Sequence, residues 1–404
     1  MSGTARYATI LRTPHVAPLL LASMLARLPF GIYALAVVLY LAEARDSYAV
    51  AGLVDGAFGI GAAIGVPVQS RLIDRFGQRR VLLPMAIVDA SATGLLIALT
   101  EADAPTIALV GCALVGGFSV PAIGSAMRAL WPELLRRRDE LLSTAFALDG
   151  VSIELLFTVG PLLSAAIIAL VSPIAALVLS AACALTGTLL FVTRKPSRDW
   201  EPDDSAGSHG LLGALRSPGV VTVALSAAPV GFCFGVVEIS MPAFAENFGA
   251  PEWAGVLLSV WAAASAVGGL AYGARHWTLP LPSLFLRISL LLPLGFLPAL
   301  LAPNVALMAL LIIPAGLMIA PLGAAANQIV GTVAPAGAVT EAYSWPTTFL
   351  IAGFAAGTAT GGHLAEHISW EACFVAAVAA ASLGALVVAG RRATLTAAPV
   401  PAVP

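Results

Sequence analysis

From one end to the other, the chain alternates long apolar runs with short polar breaks. Runs of about 20 residues recur at roughly 16–42, 48–69, 81–100, 105–130, 141–169, 172–192, 218–245, 253–273, 282–302, 304–330, 342–365 and 368–390, each long enough to cross a bilayer as a helix. Within each run the apolar residues are continuous, not alternating. That argues against a closed barrel and leaves helices to satisfy the backbone groups in lipid. The pattern predicts an all-α integral membrane protein with twelve transmembrane helices.

Composition agrees. The 404 residues are 59% hydrophobic and 10% charged, against about 25% charged in a soluble domain. A net charge of −2 argues against a nucleic-acid partner. The charges also give a sidedness. With both termini inside, cytoplasmic segments collect nearly all of the 20 basic residues, leaving Arg45 outside and Arg27 within a span. The outer loops carry acids instead: Glu43, Asp46, Glu101, Asp103, Glu246 and Glu252. By the positive-inside rule this predicts a multi-pass protein of the inner (plasma) membrane with cytoplasmic termini. The first span holds a central Arg, is long and lacks a convincing cleavage site, so it is expected to be a membrane span and not a cleaved signal peptide. Cys112, Cys183, Cys233 and Cys373 all fall in apolar runs and read as small packing residues. Neither a disulfide frame nor a metal site is suggested, and no cofactor is expected.

The longest polar stretch, Arg194 to Gly210, is rich in Pro, Gly, Ser and charge and reads as a linker. The expected layout is an N-terminal six-helix lobe at 1–193, a cytoplasmic linker at 194–216, a C-terminal six-helix lobe at 217–392 and a cytoplasmic tail at 393–404. Residue pairs at an offset near ~200 support the division as parallel repeats. Pro29 and Gly31 recur as Pro229 and Gly231, and Gly116 and Pro121 as Gly316 and Pro321. Thr144 to Leu148 with Gly160 recurs loosely as Glu341 to Trp345 with Gly357. The two lobes are therefore expected to be pseudo-symmetric.

Ionisable groups at membrane depth are expensive and mark cavities or pairs. Arg27, Asp55, Asp89, Asp149, Glu154 and Glu238 are in this class. At ~1.5 Å per residue, Arg27, Asp89 and Glu154 lie closest to mid-depth, Asp149 about 8 Å nearer the cytoplasm, and Asp55 and Glu238 towards the outside. Asp149 and Glu154 stand about 140° apart around one helix and cannot both face one point. Glu238, with no basic partner inside its own lobe, is a candidate proton or cationic-substrate site.

Between the second and third runs lies a basic island, Ser70 to Arg80, with Arg71, Arg75, Arg79 and Arg80 against the single acid Asp74. It resembles the loop between helices 2 and 3 of the major facilitator superfamily of transporters, G-x-L-x-D-R-x-G-R-R/K. Leu72, Asp74, Arg75, Gly77, Arg79 and Arg80 match; Ser70 stands where the first Gly is usual and Gln78 where an Arg is usual. Gly160 and Pro161 in helix 5 resemble part of the G-x-x-x-G-P-x-x-G-G signature of the antiporter branch, with Leu156, Ser164 and Ala165 at its other glycine positions. The antiporter branch often has an Arg in the outer half of helix 4, and here no Arg precedes Arg128 at that helix's cytoplasmic end.

The resemblance implies a bacterial 12-helix drug or small-molecule efflux protein. It would be a secondary active transporter working by alternating access, exchanging protons for a small amphipathic organic compound; a proton-coupled uptake symporter, or a sugar exporter or facilitator, is the alternative. It implies that helix 1 lies beside helix 5, making Arg27 and Glu154 the first candidate pair, either as a proton-coupling element or as a fixed bridge. It implies that glycine-rich helices 2 and 11 meet across the lobes, as do 5 and 8; the stripes Gly52, Gly56, Gly61, Gly65 and Gly353, Gly357, Gly361 serve that contact or packing within a lobe. It places Asp89 on an outer helix, in a packing or hydrogen-bonding role. Asp74 would cap helix 11, and Arg75 would pair with Glu133 or Asp139. Pro29, Pro121, Pro229, Pro314 and Pro321 would bend the cavity-lining helices. The implied partners are a small-molecule substrate, protons and the bilayer, with the chain a monomer. No nucleotide-binding loop occurs, so ATP is not the energy source. No His stands near a buried Ser for catalysis, and an enzyme is not expected.

Overall fold

The computed structural model of the chain describes residues 3–135, 138–201, 212–250 and 253–396. The middle of the expected linker (202–211), the end of the expected tail (397–404), Arg136, Arg137 and Glu252 lie outside these residues.

Among the described residues the regular structure is helical throughout. A short helix, α1 (Gly3–Arg12), precedes the first span, which comes in two pieces, α2 (Val16–Arg27) and α3 (Pro29–Arg45). Pro29 has no N–H for the preceding turn, and its fixed φ suits the first position of a new helix. Then come α4 (Tyr48–Phe76) and α5 (Gln78–Glu101). The fourth span is broken at Pro121 into α6 (Thr106–Ser119) and α7 (Ile123–Leu134). The buried Gln69 amide of α4 repairs that break, donating to the freed carbonyls of Phe118 (2.6 Å) and Val120 (2.9 Å). The first half ends with α8 (Leu142–Leu170) and α9 (Pro173–Thr193), followed by the single turn α10 (Lys195–Arg198). The second half holds α11 (Pro218–Asn247), α12 (Ala254–Ala274), α13 (Leu281–Phe296), the broken pair α14 (Val305–Leu311) and α15 (Ile313–Val333), α16 (Val339–His367) and α17 (Trp370–Gly390). Ser47, Ser172, Ser217, Asn304 and Ser369 cap their helices by accepting from Val50, Ala175, Val220, Leu307 and Ala372. Pro229 and Pro321 sit inside unbroken helices.

Eleven stretches among the described residues are long and apolar enough to cross a membrane. The expected eleventh span, α16, is not one of them: Gly and Thr dilute its hydropathy along 29 residues. At ~1.5 Å per residue it is still about 44 Å long, matching α4 and α11, against which it packs.

The two halves pack alike. In the first, α3 lies on α8, α2 on α9, α4 on α6, and α5 on α6 and α9. In the second, α11 lies on α16 and α17, α12 on α15, and α13 on α15 and α17. The halves meet where α16 touches α4 and α7, and where α8 touches α12 and α15. Helices 2 and 11 and helices 5 and 8 of the sequence reading thus do meet. The glycine stripes, however, work within each half. Gly353, Gly357 and Gly361 press on Ala228, Phe232 and Val236 of α11, Gly61 and Gly65 press on α6, and Gly52 and Gly56 touch nothing. These stripes serve close approach where backbones cross inside a half; the seam between halves carries polar contacts, with Gly273 of α12 as its own close approach to α8. Gly160 lies against Gly31, so the Gly160–Pro161 step is where α8 touches α3. All four cysteines are free and buried.

Candidate functional site: a buried ion cluster and its latch

The loop between α4 and α5 stands at the end of the bundle that also carries α1 and the starts of α8 and α16, here termed the basic end. Gly77 makes the turn with φ 89°, a conformation that favours glycine. This ends α4 so that its last turn faces the start of α16. Asp74, 1% exposed, accepts from the backbone N–H groups of Thr340 (2.9 Å) and Glu341 (2.8 Å). A carboxylate here satisfies two otherwise orphaned donors and meets the positive end of the helix dipole. Arg71, one turn earlier and also buried, donates to Gly337 O (2.8 Å) and lies 3.7 Å from Glu341. Leu72 packs on the main core. Arg75 departs from expectation: it is exposed with its guanidinium over the Phe76 ring, and pairs with neither Glu133 nor Asp139. One residue beyond Asp74 is about 100° round the helix, which turns Arg75 away from α16. Arg79 and Arg80 are exposed.

Deeper in the bundle, Asp149 of α8 is held between two guanidinium groups. Arg27, the last residue of α2, places Nη2 3.0 Å from Oδ1, and Arg128 of α7 places Nε 3.0 Å from Oδ2. Asp149, Arg27 and Arg128 are 0%, 3% and 8% exposed. Arg128 also donates to Thr347 of α16 (3.1 Å), so the cluster spans four helices and both halves. The expected Arg27–Glu154 pair does not form. The Arg27 side chain is long enough to reach towards the basic end, where Asp149 lies, while Glu154 faces another side of α8. There Glu154 accepts from Ser265 of α12 at 2.6 Å, a second link between the halves. Glu238 is exposed on α11. Asp55, half-buried, joins Asp89 in lining a small cavity of the first half. Asp89, expected to pack or to hydrogen-bond between helices, is buried and makes no side-chain hydrogen bond among the described residues.

The contact of α12 with the start of α8 mirrors the Asp74 latch. Thr144 donates to Gly273 O (2.6 Å). A Cβ at Gly273 would collide with Tyr7, Ala147 and Thr144, so the approach needs glycine. Here α1 acts as a strap. Arg6 donates to Thr144 Oγ1 (3.0 Å) and to Glu140 O, and Tyr7 donates to Leu270 O (3.0 Å).

Arg128, Arg71, Glu341, Thr347 and Ser265 were not among the expected site residues. Arg128 had a visible signal, since it falls inside the apolar run 105–130 and not in the loop after it. Glu341 opens the segment that repeats Thr144 to Leu148. Arg71 stands in the basic island but outside the matched motif, and Thr347 and Ser265 carry no local mark. No group of three metal-type ligands occurs among the described residues.

The helices and the charged latch on one helix start define an all-helical bundle of membrane-spanning length. The family model of the Major Facilitator Superfamily matches residues 19–297, and the chain belongs to that family. No curated protein sequence matches it. Among solved structures it is similar to the human organic anion transporter MFSD10 (TETRAN), with TM-score 0.68 and 18% identity over 92% of this chain and 98% of that one. It is also similar to a bacterial homologue of the iron transporter ferroportin in an outward-facing state, with TM-score 0.75 and 15% identity over 93% of this chain and 99% of that one. At these identities the likeness concerns the fold.

Proposed function

We propose that this protein is a monomeric secondary active transporter that exports a small amphipathic organic compound in exchange for protons. Its twelve helices form two pseudo-symmetric lobes in the inner membrane, with both termini cytoplasmic and the basic end facing the cytoplasm. The observation that carries this reading is the Glu154–Ser265 bond: a half-buried carboxylate with only a neutral partner ties the two halves at mid-depth. A proton arriving from the outer side neutralises Glu154 and weakens that tie. The Arg128–Thr347 link and the Asp74 latch then release, the basic end opens, and the proton leaves as cargo enters from the cytoplasm. Asp149 keeps its charge between Arg27 and Arg128 and serves as the fixed point of the movement. Glu238 and Asp55 are the carboxylates that would carry the proton if Glu154 does not.

A second reading of the cargo follows from charge. Two guanidinium groups against one carboxylate leave the cluster net positive, and Arg27 Nη1 has no hydrogen-bond partner among the described residues. An organic anion, the class named for MFSD10, fits that excess.

The test uses proteoliposomes with an imposed proton gradient, internal pH recorded while anionic, neutral and cationic amphipaths are offered. A compound that dissipates the gradient with wild type and Asp55→Asn, but not with Glu154→Gln, supports the assignment. Normal coupling in Glu154→Gln moves the proton to another carboxylate. Cargo movement without proton flux overturns the antiport reading.

A further inference from the structure

Between the helices of the first half lies a cavity of about 90 Å³ that none of the preceding chemistry uses. Asp55 of α4, Asp89 and Thr93 of α5, Tyr33 of α3 and Ser180 of α9 are the oxygen-bearing side chains among its lining residues, beside apolar ones such as Phe30, Phe58 and Val120. Asp89, Tyr33 and Ser180 are only 6%, 7% and 2% exposed. Among the described residues none of these three side chains has a hydrogen-bond or ion-pair partner, so what their polar atoms meet is the cavity. Tyr33 is held by stacking on Phe58, ring centroids 4.0 Å apart. The Thr93 hydroxyl donates to Asp89 O (3.1 Å) and keeps its lone pairs free. No basic side chain lines the space. The nearest in sequence, Arg27, turns to Asp149.

A buried carboxylate without a counter-charge is expensive at membrane depth, and such groups pair or line an ion path. Two carboxylates and three hydroxyls, with no nitrogen or sulfur ligand, make an oxygen-only set that suits hard cations. We propose that this cavity binds a small inorganic cation, an alkali or alkaline-earth ion, through Asp55 and Asp89. The site lies within one half and is separate from the Arg27–Asp149–Arg128 cluster. It stands whether or not the chain exports organic cargo.

The test is binding to the purified full-length protein in detergent. Thermal unfolding is followed in choline chloride at fixed ionic strength while sodium, potassium, magnesium or calcium chloride is titrated in. A saturable rise in unfolding temperature with one of these ions is expected, alkali and alkaline-earth arms telling the two sources apart. Asp89→Asn and Asp55→Asn should weaken the apparent affinity by about tenfold or more, while Glu238→Gln, outside the cavity, leaves it unchanged. Should Asp89→Asn fail to fold, Ser180→Ala carries the test, with weaker binding of the same ion expected. The proposal is overturned if no ion differs from choline. It is equally overturned if the rise is the same in wild type and in every folded cavity variant.

Discussion

Two contacts of one kind close the basic end, and they are built from different chemistry. Where α4 meets the start of α16, a buried carboxylate takes two backbone N–H groups and a buried arginine reaches Gly337 O and Glu341. Where α12 meets the start of α8, the loop after α12 offers Arg275, His276 and Trp277 and no carboxylate, and the joint is one hydroxyl on one carbonyl. The second contact has an added part, the strap α1, which the first has no need of. A repeat that folds alike twice has thus kept a carboxylate cap on the facing helix start on one side only. Hydrogen bonds to charged groups contribute about 1.5–3 kcal/mol and neutral ones about 1. The charged side is therefore the side whose loss shifts the equilibrium between closed and open forms most.

The largest expected effect comes from the cluster behind that charged side. Asp149→Ala leaves two buried guanidinium groups without their carboxylate. Breaking a buried pair in this way costs about 3–5 kcal/mol, read as lowered resistance of the purified protein to denaturant. Asp149→Glu should recover part of the loss. Equal stability of Asp149→Ala and wild type would mean the arginines find other partners and the cluster is not the fixed point.

Next comes the latch itself. Asp74→Ala removes both bonds to the start of α16 and should favour opening of the basic end by about 2–3 kcal/mol. Spin labels at Arg79→Cys and Ala336→Cys, on exposed positions either side of the contact, should then show a longer-distance population absent from the parent. An unchanged distance distribution would leave Asp74 as a helix cap only.

Thr144→Val is the matched change on the neutral side. The neutral bond to Gly273 O, of about 1 kcal/mol, is lost together with the one accepted from Arg6, which keeps its bond to Glu140 O. A label pair across α8 and α12 should show a shift smaller than that of Asp74→Ala across α4 and α16. Shifts of the same size would end the comparison, since the charge would then add nothing.

Much of this was legible in the chain. Span length and continuity gave the helices, and the arginines of the loop gave the basic end, because burial and charge are properties of composition. The Asp74 cap on α16 was legible too, through the motif. What was not legible is the pairing of side chains across helices. Arg27 and Glu154 share a depth, yet the partner is decided by rotation about α8, and a depth count carries no angle. Arg75 and Asp74 are neighbours in sequence and part company for the same reason. The glycine stripes looked like a seam because small residues mark close helices without naming which neighbour is close. The role of α1 left no trace, since Arg6 and Tyr7 read as an ordinary mildly basic arm.

Tyr7→Phe is the smallest change and isolates the strap from both latches. Burial pushes the Tyr7 phenol up to about 12, the nearby Arg6 lowering it in part. It therefore stays protonated and donates to Leu270 O across the whole neutral range. Removing the hydroxyl keeps the ring and the packing of α1, and costs about 0.5–1 kcal/mol. The effect should be confined to the α8–α12 side: a slight broadening of that label pair, with the α4–α16 pair untouched. A broadening on both sides would show that α1 holds the whole basic end together and that the two contacts open as one. The charge on the Asp74 side would then set how firmly the end closes, and the strap would decide when.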